Sequence, residues 1–188
     1  MIQTSCFDGV FTALVTPFTD TGSIDWHAFE SLIDRQLAAG ITGLVPVGTT
    51  GEAATLSKKE ALAIITHTVK QAAGRAYVLA GTGGNVTTKS VEATCQAADA
   101  GVDGVLLITP YYNRPSQAGL ISHFGEIASS TNVDVMLYSV PGRTGVSIEP
   151  ETASALAKNH PNIVGIKEAG GDVTRVTALR AACDPKFV

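Results

Sequence analysis

One lysine carries the clearest chemical signal in the chain. Lys167 ends the apolar run Ile163-Val164-Gly165-Ile166, inside the stretch NIVGIKEAGGD at 162–172. Strand side chains alternate, so a strand here puts Lys167 on the face of Ile163 and Gly165, with Val164 and Ile166 opposite. Gly165 has no side chain and leaves room beside the lysine stem. An ammonium at the end of an apolar run is costly unless it is paired or neutral. Desolvation favours the neutral amine, which is the form that attacks a carbonyl. The same residues also fit a lysine that snorkels from a strand end, or one paired with Glu168.

Other groups fit carbonyl chemistry. Tyr138 ends the preceding apolar run, and a phenol near an amine can shuttle the protons that imine formation moves in sequence. Arg143, five residues on in the Pro/Gly segment SVPGRTG (139–145), suits a bidentate grip on a carboxylate. Gly48-Thr49-Thr50-Gly51 sets two hydroxyls and several backbone N–H groups in a tight turn, a nest for an anion. Each also has a plain reading: an aromatic at a rim, a solvated loop arginine, a glycine turn. Tyr111 and Tyr112 are adjacent, so at most one points inward. GTGGN at 81–85 reads as structural.

The elements that must position these groups recur with a fixed rhythm. Strands are expected at Phe11–Thr16, Leu44–Val47, Tyr77–Ala80, Gly104–Thr109, Val133–Tyr138 and over the lysine stretch. Between them, Asp25 caps a helix that runs to Ala39, and Ser57-Lys58-Lys59-Glu60 has the form of a capping box. Thr87 opens a helix that Gly101 stops, and another runs from Ser116 to Ser130. Pro150 suits the first turn of the next, and Asp172 caps a last one through Ala182. Strand starts near Gly43, Tyr77, Gly104, Asp134 and Ile163 are separated by 34, 27, 30 and 29 residues. Short strand, loop and amphipathic helix in repetition predict a parallel α/β sheet. GTTGE, GTGGN, PYYN, YSVPGRTG and KEAGGD all lie at the carboxyl ends of successive strands. Such ends converge in a (β/α)8 TIM-type barrel and spread apart in an open sheet, so the barrel is expected. Six βα units account for residues 1–188 as one partial barrel domain, whereas closure takes eight units and about 250 residues. The first and sixth strands are accordingly expected to carry unpaired edges.

Composition narrows the classes. With 188 residues, 45% hydrophobic and 16% charged, the chain can bury one sizeable core. A net charge of −4 gives no field for nucleic acid or an anionic membrane, and no apolar run approaches a membrane span. The opening MIQTSCFDGV lacks the basic and apolar regions of a secretory leader. Cys6, Cys95 and Cys183 fit neither a disulfide framework nor a zinc site, and His27, His67, His123 and His160 show no ligand spacing. A reducing cytoplasm is the expected setting.

GTTGE (48–52), TPYYNRPSQAGL (109–120), YSVPGRTG (138–145) and GIKEAGGD (165–172) together resemble the dihydrodipicolinate synthase family of pyruvate-dependent class I aldolases, in order, from Phe11 onward. The resemblance implies a lyase that condenses pyruvate with aspartate semialdehyde through a lysine imine, and needs neither metal nor organic cofactor. It implies Lys167 as the imine-forming residue and Tyr138 as proton donor and acceptor. Thr49 and Tyr112 would complete a proton relay, Tyr112 from across a dimer interface. Thr50 would bind the pyruvate carboxylate within the Gly48–Gly51 turn, and Arg143 the carboxylate of the aldehyde. A homo-oligomer, a dimer of dimers, would be the assembly. Ser139 and Gly170 depart from the family's usual asparagine and serine or threonine. Sibling aldolases, of N-acetylneuraminate lyase or keto-sugar-acid type, share the lysine and tyrosine, and a silent short form is a further alternative. Where lysine-sensitive members carry an inhibitor pocket, this chain has Lys58, Ala61 and Lys89, with Asn85 and Tyr111 alike.

Overall fold

The computed structural model describes residues 7–188. Cys6 and most of the segment read for a leader lie outside them. Strands β1 (Phe11–Ala13), β2 (Gly43–Val45), β3 (Tyr77–Gly81), β4 (Gly104–Ile108), β5 (Asp134–Ser139) and β6 (Ile163–Glu168) alternate with helices. The helices are α1 (Trp26–Ala38), α2 (Lys58–Ala72), α3 (Thr87–Asp99), α4 (Gln117–Ser129), α5 (Pro141–Thr144), α6 (Pro150–Asn159) and α7 (Thr174–Ala182). The chain forms two compact units interleaved in sequence. The first takes residues up to Gly81 with Gln96–Gly104, and the second takes Thr82–Cys95 with Val105–Val188. In each unit neighbouring strands follow chain order, as in a singly wound (β/α)8 barrel and unlike the reversal of a doubly wound sheet.

In the first unit β1 pairs with β2 and β2 with β3, all parallel, in the register Phe11↔Gly43↔Tyr77. Both early strands are shorter than their sequence suggests. Leu14 N still donates to Val45 O at 3.0 Å, but Pro46 has no N–H, and Val47 turns left-handed at φ +55°. That conformation is rare for a β-branched residue and redirects the chain into GTTGE. It also fixes β3: a Cβ on Gly81 would collide with Val47 O, while Gly81 N donates to Pro46 O at 3.0 Å. The reading of GTGGN as structural holds at its first glycine. Asp25 caps α1 by accepting from Ala28 N at 2.9 Å, and the Ser57–Glu60 capping box opens α2 in both directions. These caps aim Phe29 and Ile33 of α1 and Ile64 and Ile65 of α2 into the buried core. Asp103 closes the unit, accepting from Val78 N at 2.8 Å and donating its own N–H to Val78 O at 3.1 Å.

In the second unit β5 and β6 are parallel, with Tyr138 opposite Lys167 and Ser139 opposite Glu168. Every residue of β5 after Asp134 is buried, as expected of a parallel strand covered on both faces. Leu120, Phe124 and Ile127 of α4 and Leu156 of α6 complete that core. The expected Asp172 cap is displaced by one residue. Val173 occupies the capping position of α7, yet the Asp172 carboxylate accepts from Thr174 N and Oγ1 at 2.9 and 2.7 Å. Those bonds hold its carboxyl below the ordinary range. The edge of β6, expected to be unpaired, is partly closed: Val188 N donates to Val164 O at 3.1 Å, and Ile166 N to Val188 O at 2.8 Å. Arg180 holds this end in place through the carbonyls of Phe187 and Pro185.

Candidate active site

Adjacent parallel strands in register bring the lysine and the tyrosine together. Lys167 Nζ lies over the Tyr138 ring, 4.3 Å from its centroid. Tyr138 is 7% exposed, so a buried phenol ring forms a floor under the amine. At such a separation the ring's negative face attracts an ammonium by about 0.5–1 kcal/mol where water has access.

The expected burial of Lys167 is not found. Ile163 and Gly165 are buried, Ile166 is half-buried and Lys167 is exposed. Burial fades along β6, the last strand in the order, whereas Tyr138 and Ser139 at the same level of β5 stay buried. The space at Gly165 does not serve the lysine stem either. A Cβ there would stand 2.6 Å from Val188 O and 3.0 Å from Met136 Cε. Pairing with Glu168 is also excluded: that side chain, 6% exposed, bonds Arg175 Nε at 3.2 Å and accepts from Gly170 N at 2.6 Å. Arg175 also donates to Ile148 O at 2.7 Å and meets Glu149 at 3.5 Å. Burial disfavours its charge, but Glu168 and Glu149 outweigh that and keep the guanidinium firmly protonated. The sequence reading missed this network, and no local spacing announces it.

Arg143 is exposed and sits on α5, where a plain loop was expected. Pro141 at the first helical position was the missed signal. Tyr112 is 94% exposed, with its backbone held at φ +73°, whereas Tyr111 is half-buried. Non-glycine residues in that region carry strain and concentrate at functional positions.

The GTTGE turn belongs to the first unit. Its nest is narrower than the sequence suggests, because Gly51 N and Ala53 N bond Gly48 O at 3.1 and 3.3 Å and Glu52 N bonds Thr49 O at 3.1 Å. Thr16 Oγ1 anchors the turn on Gly51 O at 2.8 Å. Gly48 and Gly51 therefore shape it, and Thr49 and Thr50 stand exposed at its tip.

Strand-by-strand βα winding in chain order defines the fold class as a (β/α)8 barrel, here present in part, with an amine over a phenol at the carboxyl ends of two neighbouring strands. The chain belongs to the dihydrodipicolinate synthetase family, whose model matches residues 6–188. It is 49% identical over 181 residues to the 4-hydroxy-tetrahydrodipicolinate synthase of Bacillus subtilis, which covers 96% of this chain and 62% of that protein. The synthase structure from Methylacidiphilum fumariolicum SolV superposes with a TM-score of 0.93 at 47% identity, over 95% of this chain and 59% of that one. A chloride-inhibited dihydrodipicolinate synthase from Acinetobacter baumannii, complexed with pyruvate, gives 0.93 at 45% identity, over 96% and 62%. The chain thus spans about three-fifths of the length of these relatives. Among the described residues no helix is long and apolar enough to cross a membrane.

Proposed function

We propose that the chain belongs to an imine-forming lyase that condenses pyruvate with L-aspartate 4-semialdehyde to 4-hydroxy-tetrahydrodipicolinate, in the cytoplasmic route to diaminopimelate and lysine. The observation that carries this reading is Lys167 Nζ held 4.3 Å over the ring of Tyr138. The neutral amine adds to the keto carbon of pyruvate, and the carbinolamine loses water to give the imine. Loss of a methyl proton yields an enamine, which bonds to the aldehyde carbon. The second substrate's amine then displaces Lys167 as the ring closes. Each stage moves a proton, and Tyr138 donates and accepts it in turn, with Thr49 and Tyr112 relaying it onward. Thr50 binds the pyruvate carboxylate and Arg143 that of the aldehyde. Gly48 and Gly51 shape the turn that presents Thr50. The imine nitrogen itself takes up the electron pair, so the scheme calls for no metal or organic cofactor.

Residues 1–188 form in this reading part of a single catalytic barrel domain, within a homo-oligomer assembled as a dimer of dimers. The near-complete exposure of Tyr112 supports its reaching a neighbouring copy. Borohydride reduction with pyruvate, in the full-length protein, should add one pyruvate-derived group at Lys167, and Lys167→Ala should lower turnover by several orders of magnitude. An adduct mapped to Lys158, or none at all, sinks the mechanism. Turnover with a keto-sugar acid in place of the semialdehyde would move the chain to its sibling aldolases.

A further inference from the structure

Two segments that frame Tyr138 are fastened together by side chains the proposed chemistry does not use. Thr109 follows β4 and Thr144 ends α5, and both hydroxyls are buried, at 0% and 1% residue exposure. Thr144 Oγ1 directs its single proton to Val140 O and Val146 O, at 3.2 and 3.0 Å. Its oxygen is then free to accept, and Thr109 Oγ1 donates to it at 2.9 Å. Gln117, the first residue of α4, grips the same segment from both sides of its amide. Its Nε2 donates to Ser147 O at 2.9 Å and its Oε1 accepts from Glu149 N at 3.1 Å. Arg114 packs so closely on Gly145 that a Cβ there would collide with its guanidinium. Residues 109–117 thus hold 144–149 at three places. Among the described residues, the backbone hydrogen bonds of the four-residue turn that carries Arg143 are Arg143 N→Val140 O, Thr144 N→Val140 O and Gly145 N→Pro141 O.

We propose that Thr144 and Gln117 are positioning residues for the second substrate: they fix the Pro141–Thr144 turn, so that Arg143 selects an aldehyde bearing a carboxylate. The proposal rests on the imine reading of Lys167 and goes beyond it, because neither side chain is needed to form the imine. Tyr138 stays tied to β4 through Thr109 N→Tyr138 O at 3.0 Å, a backbone bond that neither substitution removes.

The test uses Thr144→Val, Thr144→Ser and Gln117→Met in the full-length protein. It compares a carboxylated aldehyde with an uncharged one of equal length. Thr144→Val strands the Thr109 hydroxyl and two carbonyls, and Gln117→Met frees Ser147 O and Glu149 N. Either should raise KM for the carboxylated aldehyde about tenfold. Turnover of the uncharged aldehyde and the yield of borohydride-trapped pyruvate at Lys167 should be unchanged, and Thr144→Ser should restore KM. Equal losses with both aldehydes, or a serine variant no better than valine, would overturn the proposal. Absence of trapped pyruvate in the unsubstituted protein would instead overturn the lysine reading, and this inference with it.

Discussion

At the residue scale, Lys167 and Tyr138 were legible because each ends an apolar run, and adjacent parallel strands in register set such ends side by side. The lysine's exposure was not legible: an apolar run says nothing of where burial fades along a strand. Tyr138→Phe separates the two contributions of the tyrosine, because it keeps the ring under Nζ and removes the phenol. We expect pyruvate still to be trapped at Lys167, while turnover falls about 100- to 10,000-fold, the usual range for a lost acid–base group. Single-turnover trapping alongside steady-state rates checks this, and retained turnover would remove Tyr138 from the proton path. Thr109, Thr144 and Gln117 escaped the sequence reading because their partners lie about 30 residues or more away in the chain.

At the element scale, the caps of α1, α2 and α4 were legible, whereas that of α7 and most strand ends were not. Asp25, Ser57 and Ser116 act within three residues of their partners, so spacing alone exposes them. Ser57→Ala should cost about 1 kcal/mol through loss of the α2 cap. Gly81→Ala should cost about 1–3 kcal/mol or more, because its Cβ meets the Val47 carbonyl and not a side chain that can swing away. Urea midpoints at unchanged slope would measure both, and an unaffected Gly81→Ala would mean that the Val47 turn relaxes. A third effect depends on pH. His123 of α4 is buried, with Nδ1 2.9 Å from Thr87 Oγ1 and no hydrogen-bond partner for Nε2 among the described residues. Burial holds its pKa below the usual 6.5. The folded state resists a proton that the unfolded chain accepts, so this contribution is full above pH 6.5 and declines as the pH falls towards the lowered value. His123→Leu should flatten that slope in denaturation curves taken on either side of it.

At the scale of the whole molecule, the βα rhythm gave the barrel class because strand and helix periods are local. The division into two units was hidden because only contacts reveal it. The 188-residue chain by itself should bind or turn over little substrate, since it carries three-fifths of its relatives' length. Full turnover from this chain alone would refute that. A full-length form should ignore millimolar lysine, given Lys58 and Lys89 where the sensitive pattern has other residues. Inhibition abolished at Asn85, whose amide reaches Tyr111 O at 3.4 Å, would show the opposite. The interleaving bears on how sequences of this family can be recombined. A chimera joined at Gly81/Thr82 gives the first unit a foreign Gln96–Gly104, including the Asp103 that Val78 binds twice. A join at Gly104/Val105 keeps the first unit whole, but gives the second unit Thr82–Cys95 from one parent and all the rest from the other. No single crossover leaves both units purely parental, so viable hybrids should need three crossovers, at Gly81/Thr82, Cys95/Gln96 and Gly104/Val105, which exchange Thr82–Cys95 together with Val105 onward.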